Sequence, residues 1–257
     1  MPATEAQANS PQNTQANFTQ THWSLVVQAA NSSSPEAREK LNELCQKYWY
    51  PLYAFIRRQG HDSHKAKDLT QSFFVHLLEK DLVKRANPQK GKFRSFLLAS
   101  LTNFMRDEWR KENAQVRGGA IASISIDEVE AERKYHSLPA HEPDASKIFD
   151  RSWAVTLIER ATKQLREKYA DKIQVYDALQ PYLSGESGRG FYAKVAEKLK
   201  LADENAVGVL LHRMRKEFGE ILVREIAQTT VDPREVHDEL RYLLEAWAGS
   251  PATTMKQ

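Results

Sequence analysis

Cysteine is almost absent. Cys45 is the one thiol in 257 residues, so the chain has no intrachain disulfide and no thiolate zinc cluster. No uninterrupted apolar run approaches the roughly 20 residues that a membrane span requires, which argues against a membrane partner. Nowhere do Val, Ile and Thr alternate over a strand's length, which leaves an all-α architecture. A phosphate-cradling glycine loop and a nucleophile motif are both missing. The nearest approach to a metal motif is His61-Asp62-Ser63-His64, a polar loop at a helix start with no third His or Cys nearby. The expectation is therefore a protein that is not an enzyme and that needs no cofactor or metal. Met1 to Asn17 is Ala, Gln, Asn and Thr with neither a basic nor an apolar region, so it reads as a disordered tail, not a signal peptide, and the chain as cytoplasmic.

What is present is segregated charge. The net charge of +3 conceals nine basic against three acidic residues from Lys84 to Arg117, then six acidic against three basic from Gly118 to Lys147. Helical periodicity covers most of the rest. Ser34-Pro35-Glu36 signals a helix start, and Leu41, Leu44, Cys45, Tyr48, Leu52, Phe55 and Ile56 follow at helical spacing, with a kink expected at Pro51. A second helix is predicted from about His64 to Lys80, and a third from Phe93 to about Asn113 after the Asn87-Pro88 break. The acidic stretch with Pro139 and Pro143 reads as a linker, with short local structure near Ile124 to Ile126. Helices resume near Lys147, and a last one carries Val236, Leu240, Leu243, Leu244 and Trp247.

Three segments carry candidate chemistry. On the third helix Phe93, Leu97, Leu101, Phe104 and Met105 share one side, and Thr102, Asn103, Arg106, Arg110 and Asn113 the other. With Lys90, Lys92, Arg94 and Phe96 beside them, the cations and rings suit single-stranded DNA; a solvated charged face over an ordinary aromatic core fits equally. Between Tyr192 and Phe218, Val195, Ala196, Leu199, Leu201, Val207, Leu211, Met214 and Phe218 are spaced as a helix-turn-helix core. Asn205, Val209, His212, Arg213 and Lys216 would then face outward, able to bond bases, touch a thymine methyl and neutralise phosphate. A helical hairpin without a DNA role is the alternative, and Gly208 inside it has no evident reason. The third segment is the stripe Asp68, Gln71 and Val75 beside Phe74 and Leu78, which fits a partner surface as well as burial within its own domain.

Together these segments resemble the sigma-70 family of bacterial RNA polymerase sigma factors, in particular the compact extracytoplasmic-function type. Asp68-Leu69-Thr70-Gln71-Ser72-Phe73-Phe74 is similar to the family's core-binding helix, with Ser72 in place of the usual acid. Phe93-Arg94-Ser95-Phe96-Leu97, followed by Asn103, Asp107 and Arg110, is similar to its promoter-melting and minus-ten segment, with Phe96 where Trp is common. Tyr192 to Phe218 looks like the minus-thirty-five helix-turn-helix, with Gly208 where a basic residue is often found. The resemblance implies a disordered tail (1–20), a region 2-like bundle (21–117), a flexible acidic linker (118–148), a region 4-like domain with a C-terminal extension (149–247) and a second tail (248–257). It implies core polymerase docking through Asp68, Gln71, Phe74, Val75 and Leu78. Minus-ten contacts fall to Lys90, Lys92, Phe93, Arg94, Phe96, Asn103, Arg106 and Arg110, and minus-thirty-five contacts to Asn205, Val209, His212, Arg213 and Lys216. Implied partners are core RNA polymerase and promoter DNA, duplex and melted, with room for an anti-sigma factor. The competing reading is a helix-turn-helix regulator that acts without polymerase. Neither reading assigns a role to Thr21–Leu25 or to the stretch after Glu225.

Overall fold

A computed structural model describes residues 22, 35–79, 91–113, 127–183, 185, 190–230 and 232–248. Among the described residues there are nine α-helices and no strand. They are α1 (Pro35–Arg58), α2 (Ser63–Glu79), α3 (Phe93–Asn113), α4 (Glu128–His136), α5 (Ala145–Lys168), α6 (Ile173–Leu179), α7 (Phe191–Leu199), α8 (Glu204–Ala227) and α9 (Val236–Ala248). Both tails, the Asn87-Pro88 break, Lys90, Ile124 to Ile126 and Thr21 with Trp23–Leu25 lie outside the described residues, as do the side chains of Leu41, Leu78 and Asn113.

Local sequence accounts for the helix starts. Asp127, Asp144 and Asp203 are extended N-cap residues whose carboxylates accept from the backbone N–H of Glu130, Ser146 and Ala206 respectively. Before α2, Asp62 accepts from the Lys65 N–H at 2.8 Å. Its neighbour His64 lies 3.3 Å from Glu128, and no group of three potential metal ligands occurs among the described residues. Helix α1 continues through Pro51, which can donate no ladder bond.

Two buried clusters organise the molecule. The first joins α1, α2 and α3 through residues such as Tyr48, Leu52, Tyr53, Phe73, Phe93, Leu97 and Leu101. Helix α5 belongs to both: Ile148, Phe149, Trp153, Ala154 and Leu157 enter the first, and Ala161 and Leu165 the second, with Val195, Val207, Leu211 and Met214. The boundary expected at residue 148/149 thus falls inside one continuous helix whose first half lies along α1. Tyr48 and Trp153 stack at 4.3 Å and 11°, and His22 meets both rings edge-on. Each such ring removed from water contributes on the order of 2 kcal/mol, so this joint is firm. Ile226 of α8 and Val236 and Leu243 of α9 also reach the first cluster, which gives the C-terminal extension a place in the core.

The flexible acidic linker expected over 118–148 requires correction for its described part, 127–147. Tyr53 and Arg57 of α1 both donate to Glu132, and Lys67 pairs with Glu128 at 3.2 Å. Arg58 donates to the carbonyls of Pro139 and Ala140, while Ala131 and Leu138 are buried in the first cluster. The acidic charge serves as counter-charge to α1 and α2, whose basic residues lie about 60 to 80 positions earlier in the chain.

Candidate nucleic-acid interface

Helix α3 has the two faces its periodicity predicts. Phe93, Leu97, Leu101 and Phe104 are buried, and Thr102, Asn103, Arg106 and Arg110 are exposed. Arg110 with Asp107 (3.5 Å) and Lys111 with Glu108 (2.6 Å) form solvent-exposed pairs, which cost little to exchange for phosphate. Beside this face lies an open recess of about 440 Å³ lined by Gln59, His61, Leu69, Met105, Arg106 and Trp109. Trp109, at 67% exposure, offers a ring to solvent among cations.

The beginning of α3 is different: the contact expected of Phe93 is corrected, and Arg94 is held within the folded chain. Phe93 is 1% exposed, packed edge-on against Tyr48, so it offers no ring to a base. Arg94 is buried, and its guanidinium is engaged on both sides. Its Nε donates to Glu239 at 2.7 Å and its Nη1 to Asp150, while the Tyr242 ring lies 5.0 Å away. Lys92 also donates to Glu239, and the Tyr242 hydroxyl to Asp150. Burial works against the charge on Glu239, but the hydrogen bond and charge of Arg94, then those of Lys92, outweigh it and hold the carboxyl below its ordinary range. Burial likewise opposes the Arg94 charge, and Glu239 and Asp150 together raise its affinity for the proton. Lys92, Arg94, Asp150, Glu239 and Tyr242 thus form one shared ion network. Phe96 is half-buried against the same cluster.

On α2 the outward stripe is Asp68, Gln71 and Val75, exposed or half-exposed. Phe74 corrects a further expectation: at 2% exposure it points into the core beside Phe73, which itself meets Phe104 edge-on at 5.7 Å. Burial of Phe74 removes it from any docking surface.

Helices α7 and α8 are joined by a tight turn. Lys200 takes a left-handed conformation (φ 53°), and the Leu201 N–H closes back onto the Ala196 carbonyl at 2.8 Å, a helix-ending bond that reverses the chain before Asp203 caps α8. Val195, Ala196, Val207, Leu211 and Met214 are buried beneath the turn, and Leu199, Leu201 and Phe218 pack around them. Asn205, Val209, His212, Arg213 and Lys216 all emerge on the exposed side. Val209 is 69% exposed amid these polar groups, an apolar spot with no folding role on that face. Arg215 is turned away, donating to the Tyr182 and Gly185 carbonyls at 2.8 Å each. A β-carbon at Gly208 would meet the Tyr192 ring at 3.9 Å, an ordinary contact, so packing does not require glycine there.

Sequence reasoning missed Asp150, Glu239, Tyr242 and His22. His22 donates its backbone N–H to the Gln228 carbonyl at 2.6 Å, and its Nδ1 lies 3.0 Å from the Tyr48 hydroxyl. Burial, reinforced by the nearby charges of Lys47 and Arg160, lowers its pKa to about 3, so the ring is neutral. The acidic residues Asp238 and Glu239 of the last helix and the cations Lys92 and Arg94 are each legible in sequence, but their pairing across 145 residues is not.

Among the described residues the body is all-helical, with exposed polar and cationic rows on α3 and on α8. Residues 44–115, from within α1 to just beyond α3, match the family model described as Sigma-70 region 2. The match makes that part of the chain similar to region 2 of sigma-70 family sigma factors, and it supports a role in RNA polymerase binding and promoter recognition. Helices α4 to α9 lie outside the match. Searches of curated proteins and of solved structures each return no match. Among the described residues no helix is long and apolar enough to cross a membrane.

Proposed function

We propose that the chain is a compact sigma factor of the extracytoplasmic-function type, acting in the cytoplasm, in which three surfaces divide the work. The α2 stripe of Asp68, Gln71 and Val75 docks on core polymerase. Asn103, Arg106 and Arg110 of α3, with Trp109 at the neighbouring recess, hold unpaired promoter bases near the start site by ring stacking and phosphate neutralisation. Asn205, Val209, His212, Arg213 and Lys216 of α8 hold upstream duplex. One observation carries this reading above all: within the helical body, polar and cationic rows stand exposed on the two helices that the family resemblance associates with DNA, one inside the matched domain and one beyond it.

The factor catalyses nothing itself. It contributes by binding melted DNA more tightly than closed duplex at α3, which shifts the polymerase–promoter complex toward the open state. The test is capture of purified core polymerase by the full chain and by a variant with Asp68→Ala, Gln71→Ala and Val75→Ser. Phe74 is left intact because it is core. Loss of capture in a folded variant supports the docking assignment, and undiminished capture rejects it.

A further inference from the structure

Resting on the reading of α3 as the face for melted DNA, we propose that α9 is an intramolecular clasp: Glu239 occupies the cationic start of α3 in the free chain and yields it to the phosphates of single-stranded DNA. A carboxylate and a phosphate make the same demand on a guanidinium, a pair of acceptor oxygens facing its planar fork. Glu239 accepts from Arg94 Nε at 2.7 Å and also takes the Lys92 ammonium, so both cations at the beginning of α3 are spent internally. Helix α9 places fewer fully buried side chains in the first cluster than α5 does. Its buried side chains are Val236, Glu239 and Leu243, while Tyr242, Leu244 and Trp247 are each more than a third exposed. By contrast α5 commits Ile148, Phe149, Trp153, Ala154 and Leu157 to the same cluster. Lys92 sits at the open edge of the network with 30% of its side chain in solvent, so an incoming phosphate meets it first. The exposed Asn103, Arg106 and Arg110 continue along the same helix, which lets one strand engage the open face and then the released cations. Asp150, on the firmly packed α5, stays to orient Arg94 after Glu239 leaves.

The experiment measures binding of a fluorescent mixed-sequence DNA single strand to the full chain and to Glu239→Gln over a range of salt. Folding is checked by circular dichroism and melting. The clasp predicts that the variant binds about tenfold more tightly at low salt, with a salt slope steeper by about 1.4 as two more phosphates are neutralised. A folded variant with unchanged affinity and slope overturns it. Hydrogen exchange on the wild-type chain keeps the proposal decidable if the variant unfolds: amides of α9 lose protection when DNA saturates the protein, and undiminished protection with DNA bound overturns the clasp while leaving α3 as a DNA face. Absence of strand binding by both proteins at low salt removes the α3 reading, and the clasp with it.

Discussion

The start of α3 and the outward row of α8 are both cationic, yet they spend their charge differently. At α3, Lys92 and Arg94 are paired with Glu239 and Asp150 in the free chain. On α8, Arg213 and Lys216 stand in solvent, and the one arginine nearby that is satisfied internally, Arg215, is turned toward backbone carbonyls. A basic residue in a DNA-binding motif is thus assigned by where its counter-charge lies. The same side chain is an anchor for as long as a buried carboxylate meets it and is available to a ligand once none does.

The largest expected effect separates these two roles. Replacing Glu239 by Ala leaves the buried Arg94 with Asp150 alone and should lower unfolding free energy by about 3 kcal/mol. Arg213→Ala should leave it within about 0.5 kcal/mol. Urea denaturation of both variants checks the contrast, and equal losses would erase it.

Acid should expose the same division. His22 has its folded pKa lowered to about 3 from 6.5, so below pH 6.5 the unfolded chain takes up a proton that the folded chain refuses. Stability contributed by the neutral ring therefore declines as pH falls from 6.5 toward 3, by about 3 kcal/mol at pH 4. Glu239 adds to this: its folded pKa is depressed, so its contribution is complete above about 4.5 and is lost as pH falls further. Melting curves from pH 7 to 4 on wild type and His22→Phe should differ in slope, with the variant less sensitive. Parallel curves would reject His22 as the cause.

For the exposed row the readout is DNA, not stability. Removing Arg213 and Lys216 together should flatten the salt dependence of duplex promoter binding by up to about 1.8 in log–log slope, through two lost phosphate contacts. An unchanged slope would show that this face does not meet the backbone. The smallest effect is expected at Gly208, where the ring of Tyr192 leaves room for a methyl group: Gly208→Ala should raise stability by about 1 kcal/mol through helix propensity alone.

What the sequence disclosed follows the reach of each signal. The α8 row and the inner and outer faces of α3 are local helical periods, and Asn205, Val209, His212, Arg213 and Lys216 all emerge where the period puts them. The period of α3 sets Phe93 in the row of Leu97 and Leu101, so the core holds it and not DNA. Phe74 is the same case on α2. The Arg94–Glu239 pair joins residues 145 apart, and no window of sequence reports that. Acidic composition around Glu132 read as a flexible connection because its partners Tyr53 and Arg57 lie more than 70 residues earlier. Composition describes charge, and only the fold shows which charge answers it.

The most direct test of the central claim is transcription of a genomic DNA library by core RNA polymerase with and without the chain. The account predicts discrete start sites that appear only when the protein is added and that disappear with the Asp68, Gln71 and Val75 variant. A protein that binds duplex sites on its own but yields no added start sites with polymerase would contradict it.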